Sequence, residues 1–568
     1  MTRSDAQQVP NQSPPFADVD LFGIDRPLQE AVAANGAGGE AAALEAGPRD
    51  AAALDATALD ATALGAFGRR WGTAAMFEMA RLADQYPPRL KTFDAEGRRS
   101  DTVEFHPAYH HFMAESIAAG LHASTWQADA ARAGAPAEVA RAARFYMVAQ
   151  VENGHQCPIT MTRASVAGFG GDATLAKMLM PKLMSRHYDP VLRPWREKIG
   201  ITLGMGMTEK QGGTDVRANT TRAEPDGDAY RITGHKWFMS APTSDAFLVL
   251  AQAGGGLTCF FLPRFAPDGR INALHFQRLK DKLGNRSNAS SEVEFADAYA
   301  SRIGEEGAGI RTILPMVQLT RLDCAISSAG MMRAAVSRAM HHGRHRHVFG
   351  KPLAEQPMMR SVLADMALEV EGAVAAVMRL SRSFDLAASS PAEAARARLL
   401  TPAIKYAVCK AAPVLVCEAM ECLGGNGYVE EGAMARLYRE APVNAIWEGS
   451  GNVVALDVLR AISRDVEAAR ATLAELAREA KDLPGVAEAI ALIVTALASD
   501  TAEAQARTVV ERIAVLAAAA ALASGPAAPI ADMFARTRLS GRAGASYGAA
   551  ALDAAETRLL LGRVLPDF

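Results

Sequence analysis

The sequence predicts a mainly α-helical protein with one central antiparallel β domain and further helices behind it. Apolar residues recur at helical spacing before about residue 200 and again from about residue 306 to the end. Between them, residues 201–305 hold short β-branched and aromatic runs punctuated by Gly, Pro and Asp. At 568 residues the chain exceeds what one compact core holds, so three or more domains are expected.

The expected divisions follow from those shifts. Residues 1–66 form an N-terminal extension that turns Ala-rich, and Ala53–Thr57 is echoed by Ala58–Thr62. Five residues are too few for a solenoid repeat, so the echo reads as low-complexity helix or linker. Residues 67–200 form a helical domain; Val139, Ala142, Ala143, Tyr146 and Met147 recur at three and four, and Pro136 suits a first helical turn. The β domain, 201–305, has strands at Tyr230–Met239, Phe247–Ala251, Leu257–Leu262 and Ser291–Phe295. A second helical domain, 306–465, is interrupted at Gly424-Gly425-Asn426-Gly427, and an Ala-rich helical domain, 466–568, closes the chain.

Composition sets broad limits. Hydrophobic content is 49%, charged content 22% and net charge −3, the values of an ordinary globular protein. The six cysteines form no C-x-x-C pair and read as reduced core thiols, not as disulfides or a zinc site. With no apolar core near Met1 and no uninterrupted apolar run long enough to span a bilayer, the cytoplasm is the expected location.

Four segments carry possible chemistry. Met207-Thr208-Glu209-Lys210-Gln211-Gly212-Gly213-Thr214 pairs glycines, which let a ligand approach the backbone, with hydroxyls that donate to a planar heterocycle or phosphate. Alone it reads equally well as a Gly-rich turn. Phe238, Met239 and Ser240 end a strand, and by themselves read as core strand and turn. Arg346, with Gln356 ten residues on, offers a bidentate fork suited to a pyrophosphate. Its neighbours His341, His342, His345 and His347 lie among arginines with no carboxylate at ligand spacing, so no metal is expected. Last come Gly424 and Gly425, then Trp447-Glu448-Gly449-Ser450-Gly451-Asn452. Glu448, between an aromatic ring and a glycine, suits a general base in an apolar setting, or a helix-start acid complementing the dipole.

In this order and spacing the motifs resemble the acyl-CoA dehydrogenase family over roughly residues 150–460. The resemblance implies FAD as cofactor and an acyl-CoA substrate. It places Met207, Thr208, Gly213, Thr214, Phe238, Met239, Ser240, Trp447 and Asn452 around the flavin, and Arg346, Gln356, Gly424 and Gly425 around the adenosine diphosphate half of a neighbouring subunit's cofactor. Glu448 falls on the base that removes the α-proton of an acyl thioester. Gly204–Gly213, Lys280–Ser290 and Ile446–Asn452, with the extra C-terminal helical domain, are similar to the AidB-like, alkylation-response branch. That branch implies a homotetramer that binds double-stranded DNA, protects it from methylating agents and has weak dehydrogenase activity. An ordinary metabolic dehydrogenase with no DNA role is the alternative. Two departures stand out: the usual Thr-Glu-Pro of the flavin loop is Thr208-Glu209-Lys210, and Glu421 stands where many relatives carry glutamine.

Residues 466–568 contain ten basic residues against twelve acidic ones, a net of −2, so that domain is not basic overall. The charge is uneven, and Arg536, Arg538 and Arg542, with Arg460, are the expected phosphate-contacting face; ordinary solvated arginines would look the same.

Overall fold

The computed structural model describes residues 9–36, 59–127, 135–526, 528–541 and 544–566. Its first helices are α1 (Arg26–Gly36), α2 (Ala61–Trp71) and α3 (Ala74–Gln85). Asp60 and Thr73 cap α2 and α3 by accepting the Thr62 and Met76 amides. Leu21, Phe22, Ile24 and Leu28 are buried in the main helical core, so this part of the expected extension packs as an integral layer. Most of the alanine-rich echo lies outside the described residues.

A hairpin of β1 (Arg89–Phe93) and β2 (Arg99–Glu104) then interrupts a stretch expected to be helical. Helices α4 (Pro107–Ala118), α5 (Ala137–Ala149), α6 (Gln156–Ser165) and α7 (Ala173–Leu183) complete the region. α5 is buried along its whole length.

The β domain comprises β3 (Leu203–Gly206), β4 (Arg222–Asp226), β5 (Ala229–Ser240), β6 (Ala246–Ala253), β7 (Gly256–Pro263), β8 (Leu274–Leu279) and β9 (Ser290–Ile303). Most pairings are antiparallel, but β3 and β4 run parallel to β6, so the sheet is mixed. The parallel register is invisible locally because the strands are joined through long connections. β6 is apolar throughout because both faces are covered: Leu248 and Leu250 meet the helical side, while Phe247 and Val249 meet Phe260 and Phe276. Where β5 pairs with β9 the register shifts between Lys236 and Met239. This bulge leaves Phe238 49% exposed while Met239 is fully buried.

The long helices α8 (Gly309–His345), α9 (Pro357–Leu386) and α10 (Pro391–Cys422) form the second helical region, with α11 (Ala433–Glu440) and α12 (Gly451–Arg464). By length and composition α10 is apolar enough to cross a membrane, and 72% of its most apolar window is buried in the protein. A buried network ties the first region to α8: Arg141 donates to Asp323 at 2.6 and 2.7 Å, and Arg163 reaches Asp323 at 3.1 Å and Glu138. The C-terminal helices α13 (Val466–Glu479), α14 (Val486–Leu497), α15 (Ala506–Ala523), α16 (Ala528–Phe534) and α17 (Ala554–Val564) pack into the same core through Leu476, Ile493, Val509, Ile513 and Leu560.

Candidate active site

Glu448 sits in the turn between α11 and α12, half-buried, with φ of 58°. A non-glycine residue in the left-handed region costs about 1–2 kcal/mol and persists only where its surroundings hold it there. Two cations do so. Arg321 donates to the Glu448 carbonyl at 2.9 Å, and buried Lys405 donates to the carbonyls of Trp447 and Gly449 at 3.0 and 2.6 Å. Three successive carbonyls are thus turned onto α8 and α10. Arg321 is itself fixed by Asp457 at 2.5 Å, which also accepts from Arg398 at 2.7 Å. Trp447 donates its indole N–H to Asn444 at 2.9 Å. At Gly449, φ is 105°, and an added Cβ would meet Val453, Val454 and Arg321 within 3.3 Å.

With the backbone pinned, the Glu448 carboxylate points its Oε2 at Thr320 Oγ1, which donates at 2.7 Å. No cation neutralises this carboxylate among the described residues. Burial holds the nearby Cys157 thiol at about 11, with Lys282 and Glu448 as smaller influences, so it stays protonated beside the acid. Ser240 shares a hydrogen bond with Ser290 at 3.1 Å, and Ser290 also accepts from Lys282 at 3.0 Å. Burial lowers that ammonium to about 8.

The glycine loop closes on itself. Glu209 and Gly212 form a bridge, and a Cβ on Gly213 would lie 2.5 Å from Thr208 Oγ1, so a side chain there would force Thr208 to move. Trp237 N–H donates to the Thr208 carbonyl at 2.8 Å, joining this loop to the bulged strand that carries Phe238 and Ser240. The Asn219 side chain donates to the Met207 carbonyl at 3.0 Å, and Thr214 is exposed. Glu209 is fully buried: burial alone would raise its pKa, but Lys236 at 2.8 Å and donors from Thr220 and Thr221 hold it at about 2. Lys210, replacing the usual proline, is exposed and lies 5.8 Å over the Trp237 ring.

A second group lies elsewhere. Arg346 follows α8 and donates to the Asn11 carbonyl at 2.8 Å, while Gln356 donates to Val348 at 2.8 Å. Gln12, next in sequence to Asn11, accepts from Asn426 at 3.0 Å beside Gly424 and Gly425, at both of which an added Cβ would meet open space. Phe349, 98% exposed, tips the intervening hairpin. Twenty-five residues of helix separate Arg321 from Arg346, about 37 Å. The thirteen expected cofactor residues therefore divide between two distant faces of one chain.

Asn452 accepts from Arg507 of α15 at 2.8 Å, so the C-terminal region reaches the segment that follows the Glu448 turn. The arginine face expected for DNA fares differently. Arg538 is half-buried between Asp365 at 2.6 Å and Glu369 at 2.8 Å, and Arg536 pairs with Glu556 and donates to Ala551 at 2.7 Å. Both are committed to internal ion pairs instead of solvent; Arg460 is exposed, and Arg542 lies outside the described residues.

The sequence reading missed Thr320, Arg321, Lys405 and Arg507. Each is a polar residue within a helix, and its partner lies 42 to 128 residues away.

Residues 11–190 match the model of the adaptive response protein AidB N-terminal domain, 204–298 the acyl-CoA dehydrogenase middle domain, and 307–463 the acyl-CoA dehydrogenase C-terminal domain. AidB of Escherichia coli strain K12 is 50% identical over 463 residues, covering 80% of both chains. Acyl-CoA dehydrogenase family member 11 of Caenorhabditis elegans is 32% identical, over 69% of this chain and 65% of that one. The solved structure of Caenorhabditis elegans ACDH-11 in complex with C11-CoA superposes with a TM-score of 0.79 at 25% identity, covering 99% of this chain and 94% of that one. With matched domains in the same order from residue 11 to residue 463, the chain belongs to the acyl-CoA dehydrogenase family, in its AidB-like branch.

Proposed function

We propose that this protein is an FAD-dependent oxidoreductase of acyl thioesters in which Glu448 takes the α-proton. The observation that carries the reading is a carboxylate without a neutralising cation on a left-handed turn pinned by Arg321 and Lys405. The cofactor is FAD; when bound, it supplies the acceptor for the β-hydride. Loss of one proton and one hydride leaves an α,β-unsaturated thioester. Thr320 fixes Oε2 through its hydroxyl, so Oε1 is the atom offered to the α-carbon.

The residues present fit the group. Thr208, Gly213, Thr214 and the Met207 backbone suit the edge of a flavin, and Phe238 and Ser240 its face, with Asn452 beside them; the Met239 side chain is buried in the sheet core, which leaves only its backbone to the cofactor. Arg346, Gln356, Gly424 and Gly425 suit the adenosine diphosphate half, and the gap of about 37 Å along α8 favours their serving a neighbouring copy's cofactor, as in a homotetramer. A cytoplasmic location is part of the same reading.

The finer role, binding duplex DNA in protection from methylating agents, is what the sequence's resemblance to the AidB-like branch implies. Because Arg536 and Arg538 are neutralised, that role needs other cations, Arg460 among them. Purified protein should be yellow, release FAD, and bleach when an acyl-CoA is added without oxygen. Colourless, well-folded protein rejects the cofactor, and a flavin inert to every chain length rejects the substrate class. DNA retention should fall steeply with salt; salt-independent or absent retention rejects the DNA role.

A further inference from the structure

A cavity of about 760 Å³ opens between Ser13–Ala17, α3, the C-terminal end of α8 and the start of α11. That is the size of a small-molecule site. Two of its lining residues are buried arginines, Arg338 at 8% exposure and Arg436 at 7%. Neither has a carboxylate oxygen within 4 Å among the described residues, whereas several other buried arginines are paired closely, as at Arg141–Asp323 and Arg163–Glu138. Arg338 donates to Ala334 of its own helix at 3.2 Å, and Arg436 to the Val151 carbonyl at 2.8 Å.

The rings of Phe16 and Phe77 lie 5.3 and 4.9 Å from the Arg338 guanidinium. Such contacts stabilise the cation without using its N–H groups, and those not bonded to Ala334 are left to meet a ligand. Burial, reinforced by the nearby Arg436 charge, pushes Arg338 down to about 9. Arg286 also lines the cavity, and its recorded bond is a long one to the Lys282 carbonyl at 3.4 Å. The acids on the wall are largely occupied: Glu78 pairs with Arg81, and Asp84 and Glu430 with Arg439, leaving exposed Glu431. Buried Glu440, one turn from Arg436, acts on that guanidinium at longer range, and two adjacent buried cations without a directly paired carboxylate destabilise a fold.

We propose that this cavity is a binding site for a phosphate-bearing small molecule, held by the guanidinium groups of Arg338 and Arg436 with Arg286 at its edge. A planar fork meeting tetrahedral oxyanions bidentately is the arrangement such groups favour. It is separate from Glu448; a free ligand there does not depend on the flavin reading, whereas the nucleotide end of a thioester rests on it. A second cavity of about 310 Å³ shares Asp84, Gln85 and Arg286 with it and continues to Lys282 and Asn288. The phosphates could therefore belong to a free ligand or to the nucleotide end of a thioester.

Titration calorimetry of the full-length, flavin-loaded protein at fixed ionic strength distinguishes these sources, using inorganic pyrophosphate and free coenzyme A as separate probes. Saturable binding of pyrophosphate supports a free-ligand site, and binding of coenzyme A alone supports the nucleotide end. For whichever probe binds, Arg338→Met should weaken affinity 10- to 100-fold. It should also raise the melting temperature of the ligand-free protein, because a buried unpaired charge is removed. The milder Arg286→Gln should weaken binding about threefold without altering the fold. No saturable binding of either probe to the unaltered protein, or binding unchanged in both variants, overturns the proposal.

Discussion

The turn at Trp447–Gly449 and the arginines at 536 and 538 are both clusters of charge that residue type brings forward, yet the structure treats them in opposite ways. At the turn, cations bind the backbone carbonyls and leave the Glu448 carboxylate to a single hydroxyl. At Arg536 and Arg538 the charged groups themselves are matched by Glu556, Asp365 and Glu369. A charge is available for chemistry or recognition only where the fold has not already neutralised it.

The largest effect expected from breaking that contrast is at Glu448. Glu448→Gln keeps the shape and removes the base, so flavin reduction by acyl-CoA should slow by about 10²–10⁴-fold with flavin still bound. Unchanged reduction kinetics would remove Glu448 from the mechanism. Arg538→Ala should instead leave turnover intact in folded protein and lower stability by about 4 kcal/mol, because it strands Asp365 and Glu369. Denaturant unfolding checks this, and a loss under 1 kcal/mol would show the pairs to be incidental.

Glu440 is an intermediate case, a buried carboxylate that accepts the Asn285 N–H at 2.9 Å. Burial raises it to about 7 from 4.5. The folded protein therefore holds a proton that the unfolded chain releases, and stability falls as pH rises from 4.5 through 7. Glu440→Gln should be near neutral at pH 4.5 and stabilise by about 3 kcal/mol at pH 8. Equal melting behaviour at both pH values would contradict the assignment. The smallest effect is at Thr320: removing its hydroxyl with Thr320→Val should reduce the rate of flavin reduction about tenfold, read by stopped flow. A rate unchanged within twofold would make the hydrogen bond dispensable.

Much of this was legible in the sequence for a physical reason. The helical and strand periods are local, and the pinned turn requires glycine at 449, so Glu448 and its neighbours stand out as a contiguous motif. The β1–β2 hairpin escaped notice because its residues are mostly half-exposed or exposed and show little apolar alternation. Arg321 and Lys405, which hold the turn, come from α8 and α10 and carry no local mark of that role. The neutralisation of Arg538 escaped for the same reason, since its carboxylates lie 169 and 173 residues away. Mixed strand direction likewise depends on connections that span the whole domain.

The central claim is that Glu448 removes the α-proton, and exchange of that proton with solvent deuterium tests it apart from hydride transfer. Flavin-loaded protein incubated in D₂O with an acyl thioester analogue unable to lose a β-hydride should incorporate deuterium at the α-carbon, and the Glu448→Gln variant should not. Equal incorporation by both proteins would contradict the account.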